Sequence, residues 1–200
     1  MTYRFKTVLI FASILSCFST FGLSYLGVNG NLSKVSYEPM SQYNVEPIGL
    51  GVGYLFGMRS GFAGIEFSYS GLKAKGKIRH DSADNTIIHT QGTYAAMLNL
   101  YLNPRLYFKF GYALYKVDHT LENGVTSAKE ASIKDIYGMM NSSKGGLAYG
   151  LSFDFFKVNR GFNLYTSIDR YSFDKLGTTT SIQVGAKFLF DFGFKSLFSR

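Results

Sequence analysis

From Tyr25 onward, apolar side chains recur at every second position, with small or polar residues between them, and no apolar run is long enough for a membrane-crossing helix. A period of two describes extended chain with one apolar and one polar face. Ile48, Leu50, Val52, Tyr54 and Phe56 share a face against Gly49, Gly51 and Gly53. Leu106, Phe108, Phe110, Tyr112 and Leu114 alternate with Tyr107, Lys109, Gly111, Ala113 and Tyr115. Nearest the C-terminus, Ile182, Val184, Ala186, Phe188, Phe190, Phe192 and Phe194 oppose Gln183, Gly185, Lys187, Asp191 and Gly193. Segments 25–34, 62–72, 93–102, 146–156 and 162–171 complete a set of eight strands. Each is close to the roughly 9–11 residues with which a tilted strand crosses a bilayer.

The connections alternate in length. Segments 35–46, 73–91 and 117–144 are long, 57–61, 103–105 and 157–161 are short, and 172–177 is of moderate length. Long surface loops at one end and tight turns at the other define an up-and-down barrel, and both termini at the short-turn end require an even strand number. A soluble ligand-binding barrel would also alternate, with its apolar face inward. The polar face separates the two. It is mostly Gly, Ser, Asn and Ala, which suits a crowded bore better than a solvated exterior rich in Lys and Glu. With 19 Phe and 15 Tyr but no Trp, and 22 Gly against 3 Pro, the composition favours strands. The expected fold is an all-β, eight-stranded antiparallel transmembrane β-barrel.

Met1 to Lys6 is basic, Thr7 to Phe18 is apolar, and Thr20, Gly22 and Ser24 are small, as in a cleavable export signal. Thr7 to Val28 carries no charge and is long enough to span as an uncleaved helix, but Ser16, Ser19, Thr20 and Ser24 dilute it. The expected organisation is a signal peptide over 1–23, a barrel over 24–194 and a short tail over 195–200. Losing Arg4 and Lys6 with the signal lowers the net charge from +8 to +6, too mild for a nucleic-acid binder. Cys17, the one cysteine, leaves with the signal, and its surroundings match a lipidation motif poorly because Leu15 fits badly and the apolar run continues.

The stretch from Gln183 to Phe190, with a polar residue, Gly185 two places on and then Phe188 and Phe190 alternating, resembles the terminal-strand signal of outer-membrane barrels. With Tyr25-Leu26-Gly27-Val28 opening the mature chain, nearly the whole sequence resembles the OmpA-like and opacity-type small surface barrels. The resemblance implies a Gram-negative outer membrane and barrel-assembly machinery that reads Gln183, Gly185, Phe188, Phe190 and Phe194. It is weak for activity, since that superfamily holds adhesins, structural proteins and a few enzymes. Such chains usually end on the aromatic, whereas this one continues from Lys195 to Arg200, so Phe198 is an alternative terminal signal.

By parity Glu66, Lys109, Asp154, Asp169, Lys187 and Asp191 point into the bore, all but Asp169 toward its periplasmic half. Buried charges must pair, so Lys109 and Lys187 are expected to be bridged by Glu66, Asp154 and Asp191. Such a network is either a static polar core or a gated ion path. Lys73, Lys75, Lys77 and Arg79 alternate in the second surface loop. If that loop continues a strand, they share a face toward lipopolysaccharide phosphates or a sulfated host glycan; otherwise they are a solvated extension. His80, His89 and His119 fall in expected loops without metal-ligand spacing, so no metal is expected. His80-Asp81-Ser82 superficially resembles the His-x-Ser pair of lipid A deacylases but sits in a hydrophilic stretch. Ser127 to Glu130 fits a helix capping box within the third loop.

The expected function is structural and adhesive, through long surface loops of a monomeric barrel in contact with outer-membrane lipid and lipopolysaccharide and, on the outside, a host glycan or protein. No catalytic residue, cofactor or nucleic-acid partner is expected. The alternatives are an enzyme of outer-leaflet lipid and a narrow ion channel.

Overall fold

The computed structural model describes residues 23–36, 48–80, 83–122, 142–159, 161–173 and 177–190, with no side-chain description for 78–80, 83–84, 142 and 156–159. Eight strands follow one another: β1 (Leu23–Ser36), β2 (Ile48–Ser60), β3 (Ala63–His80), β4 (Ala83–Tyr101), β5 (Leu106–Leu121), β6 (Ser142–Asn159), β7 (Phe162–Phe173) and β8 (Gly177–Phe190). Every neighbouring pair is antiparallel, and β8 pairs with β1, as in Ser24↔Phe190 and Ser36↔Thr178, so the sheet closes. Closure leaves no strand edge unpaired, which hydrocarbon demands because it offers no hydrogen bonds to a free backbone.

Side chains sort by parity. Leu50, Val52, Tyr54, Phe110 and Leu114 are more than half exposed on the outer wall. Inside, Tyr25, Tyr107, Lys109, Tyr165 and Lys187 are at most 3% exposed. An apolar outer wall around a packed polar interior is the arrangement of a barrel in lipid rather than in water.

The strands run further than the alternation was followed. Segment 73–91, expected as a loop, is paired through Lys73↔Thr90, Lys75↔Ile88 and Lys77↔Thr86, leaving only residues 81–82 between β3 and β4. The inward series Leu72, Ala74, Ile87, His89 and Gln91 is buried, so the hairpin continues the barrel wall beyond the apolar belt. β5 likewise extends to Leu121 and β6 begins at Ser142, while β7 runs to Phe173 and β8 begins at Gly177, close to the expected 172–177 connection. β1 starts at Leu23, within the stretch read as signal. At the short-turn end, Gly61 adopts a φ of 56° to close the β2–β3 turn, a conformation natural to glycine. The capping-box stretch, Asp81, Ser82, Asp191, Phe194 and the 195–200 tail lie outside the described residues.

Candidate functional site

The bore is filled by a charged network that draws on seven strands. Lys109 on β5 reaches Asp169 Oδ2 on β7 at 2.7 Å and Glu66 Oε1 on β3 at 3.4 Å. Asp169 is held from three sides, because Gln183 Nε2 donates to Oδ2 at 2.9 Å and Ser167 Oγ donates to Oδ1 at 2.7 Å. Glu66 Oε2 accepts from Tyr25 OH at 2.9 Å, and Asn99 Nδ2 donates to that same phenol oxygen at 2.9 Å. Each carboxylate thus receives several donors, which is what makes a buried ion tolerable.

A second centre lies toward the termini. Lys187 on β8 pairs with Asp154 at 2.9 Å and donates to Tyr107 OH. Its ammonium also stands over the rings of Tyr165 at 4.3 Å, Tyr107 at 4.7 Å and Tyr25 at 5.3 Å. Three aromatic faces around one cation compensate for lost hydration through their quadrupoles. Small residues open the space for these rings: a Cβ added to Gly57 would collide with the Tyr25 ring, and one added to Gly150 would collide with Asp169. Below this cage, Arg59 stacks on Tyr101 at 3.8 Å and donates to the Gly61 and Pro104 carbonyl oxygens. A cavity of about 440 Å³ opens there toward the short-turn end.

At the other end of the bore, His89 on β4 and His119 on β5 are opposed in register. His89 Nδ1 and His119 Nε2 are 2.8 Å apart, and both rings are buried. Gln91 sets the tautomers. Its Nε2 donates to Thr93 Oγ1, so its Oε1 is the acceptor for Thr179 Oγ1 and for His89 Nε2–H at 3.1 Å. His89 Nδ1 is then the acceptor, and His119 Nε2–H the donor, of the bond between the rings. Beside them is a space of about 20 Å³, room for one water. Burial holds the His89 pKa below its ordinary value, an effect the Gln91 bond partly offsets. Among the described residues no group of three His, Cys, Asp or Glu could hold a metal ion.

Outside, the apolar wall ends in a basic rim at the end remote from the termini. Lys34 on β1, Lys73, Lys75 and Lys77 on β3, Lys116 on β5 and Arg170 on β7 are all exposed and all on outward parity. Lys75 pairs with Glu122, and this contact depresses the Glu122 carboxyl pKa. Arg79 continues the β3 row, with its side chain outside the described set.

No family model and no curated protein matches the chain. Solved structures do. The Ail attachment invasion locus protein of Yersinia pestis, in complex with the heparin analogue sucrose octasulfate, is similar over 85% of this chain and 99% of its own, with a TM-score of 0.51 and 16% identity. The outer membrane protein OprG of Pseudomonas aeruginosa is similar over 86% of this chain and 97% of its own, with a TM-score of 0.49 and 12% identity. Neisserial surface protein A gives a TM-score of 0.46 at 11% identity, over 86% of this chain and 99% of its own. The fold is that of a small bacterial outer-membrane β-barrel. A closed sheet with an apolar exterior resides in that membrane, since only closure and outward hydrocarbon satisfy both backbone and side chains there.

Within this outer-membrane barrel, the residues singled out from sequence fall into three groups. Glu66, Lys109, Asp154, Asp169 and Lys187 meet in the bore, but Asp169 rather than Asp154 joins Glu66 on Lys109, because Lys109, Gly150 and Asp169 are in register across β5, β6 and β7, with no side chain on Gly150 between them, whereas Asp154 lies four residues further along β6. Lys73, Lys75 and Lys77 stand in one outward row, on a strand instead of in a loop. Gln183 and Gly185 of the terminal-strand signal face the bore, and the rings of Phe188 and Phe190 lie 6.4 Å apart on the other face.

The histidines are a correction. His89 and His119 lie in strands, and His80 ends β3. The tyrosine cage and the rim positions Lys34, Lys116 and Arg170 were not singled out from sequence. Parity carried a signal for all of them, since each continues an alternation already visible in its strand.

Proposed function

We propose that the chain is a non-catalytic surface barrel that holds polyanions, lipopolysaccharide phosphate in its own envelope or sulfated glycan on a host surface, through the basic row of the β3–β4 hairpin. The carrying observation is that Lys73, Lys75 and Lys77 are exposed on one outward face of β3, with Lys73 and Lys75 paired across to Leu50 and Ile48 of the apolar wall. Cations at two-residue spacing on a paired strand repeat about every 7 Å, which suits successive anionic groups on a flexible chain. Export through the 1–23 segment and insertion by the barrel-assembly machinery, reading the β8 terminus, bring the hairpin to the cell surface. Ail was solved with a heparin analogue; the likeness to it is one of fold, and the reading here stands on the lysines of this chain. Buried ion pairs and packed tyrosines across the bore support an interior that is structural rather than conducting.

The test replaces Lys73, Lys75, Lys77 and Arg79 with glutamine and measures retention on immobilised heparin and on lipopolysaccharide. A large loss of retention at physiological salt, with heat-dependent gel mobility kept, is the expected result. Unchanged retention overturns the reading.

A further inference from the structure

The mouth of the bore at the short-turn end is organised by the β4–β5 turn. Asn103 Oδ1 accepts from the backbone N–H groups of Arg105 and Leu106 at 2.8 and 2.9 Å, and the Arg105 carbonyl accepts from the Asp154 N–H at 2.8 Å. The backbone that carries the Arg105 side chain is therefore held from both sides. Asp154 itself stands where the register of β6 with β7 shifts, between Asp154 and Phe156. Such an irregularity re-aims a side chain, and the Asp154 carboxylate meets Lys187 inside the barrel.

The same turn holds a second arginine. Arg59 on β2 donates through Nη1 to the Pro104 carbonyl at 3.1 Å and through Nε to the Gly61 carbonyl at 3.2 Å, while stacked on the Tyr101 ring. A guanidinium has five N–H donors, so three of those on Arg59 remain for a ligand. Among the described residues neither Arg59 nor Arg105 forms an ion pair. Asp154, the carboxylate beside them in the cavity wall, is already engaged by Lys187 at 2.9 Å and by Asn163 Nδ2 at 3.4 Å. Both arginines line the cavity of about 440 Å³, which falls within the roughly 300–1,000 Å³ of small-molecule sites. Leu23, Pro104, Leu189 and the Tyr101 ring give that cavity an apolar side.

We propose that this mouth binds a small organic monocarboxylate, with its carboxylate on Arg59 and Arg105 and its apolar body against Leu23 and Leu189. A guanidinium fixed by stacking and by backbone bonds presents a fork that matches the two oxygens of a carboxylate. The charge selects a monoanion. From the level of Lys109 to the mouth, the described residues supply four cations, Lys109, Lys187, Arg59 and Arg105, and three carboxylates, Glu66, Asp154 and Asp169, which leaves an excess of one positive charge. One carboxylate cancels it. A phosphate dianion would leave negative charge beside Asp154 and the buried Glu66, and has no apolar part for the leucines. Short turns of outer-membrane barrels face the periplasm, so the ligand enters from that side. The site lies at the opposite end from the β3–β4 hairpin and stands or falls independently of polyanion retention by Lys73, Lys75 and Lys77.

The test titrates benzoate, benzyl alcohol and inorganic phosphate in turn into the full protein, purified from outer membranes and placed in lipid nanodiscs, and follows the amide resonances of Arg105, Leu106 and Asp154. Saturable shifts with benzoate, and none with the other two, are expected. Arg105→Gln is expected to weaken benzoate binding by about tenfold, the size of one charge-assisted contact. Arg59→Gln should weaken it at least as much. Leu189→Phe narrows the cavity from β8, is expected to weaken binding while heat-dependent mobility stays normal, and serves if the Arg59 variant does not fold. Unchanged benzoate affinity in Arg105→Gln overturns the proposal, as does equal affinity for benzyl alcohol or for phosphate. So do shifts that benzoate produces only in Asp191→Asn, since a carboxylate of the chain itself would then be the occupant.

Discussion

Lys109 on β5 and Asp169 on β7, two strands apart around the wall, meet inside the bore through a 2.7 Å contact between groups that are almost wholly buried. The pair is a strut inside the bore, and its value shows when one end is removed. Lys109→Met leaves Asp169 and Glu66 facing each other as unpaired buried carboxylates. Breaking such a site from one side costs about 3–5 kcal/mol. Urea unfolding in lipid vesicles should show this loss, and adding Glu66→Gln and Asp169→Asn to the same chain should recover most of it. A variant as stable as the wild type would mean that the strut carries no weight.

The two kinds of glycine respond oppositely to a methyl group. At Gly57 an added Cβ runs into the Tyr25 ring, whose hydroxyl is engaged by both Glu66 and Asn99. Gly57→Ala should therefore destabilise by about 1–3 kcal/mol through overpacking. At Gly30, where the Cβ meets open space, alanine should be neutral or slightly stabilising. Comparing the two unfolding midpoints checks the difference, and equal midpoints would contradict the packing inside the bore.

The histidine pair should make the upper hairpins sensitive to acid. In the folded state burial lowers the His89 pKa below the ordinary imidazole value of about 6.5, so the unfolded chain takes up a proton more readily. The stability contributed is complete above about pH 6.5 and is lost as the pH falls from there through the folded-state value. Two protonated rings 2.8 Å apart would also repel. Hydrogen exchange of the β4 and β5 amides near residues 87–91 and 117–121 should accelerate between pH 7 and pH 5. His89→Gln combined with His119→Gln should flatten that dependence. Exchange that rises equally in the double variant would locate the acid response elsewhere.

Local alternation was sufficient to read the strand number, the antiparallel order and the face that each residue takes, because side-chain direction in extended chain depends only on position along the strand. Glu66, Lys109, Asp154, Asp169 and Lys187 were legible as bore residues for that reason. Their partners were not. Whether Lys109 meets Asp154 or Asp169 depends on how eight strands are staggered around a closed barrel, and no segment carries the stagger within itself. The same holds for His89 and His119, thirty residues apart and brought together only by the β4–β5 register.

What the sequence by itself determined is therefore a closed, lipid-facing sheet with a polar interior, since a period of two and the residue types on each face are local properties. Only the tertiary structure decided which ions pair, how far β3 and β4 rise above the belt, and which arginines the β4–β5 turn brings together. Those outcomes come from distances across the bore and between neighbouring strands, and such distances exist only once the barrel has closed.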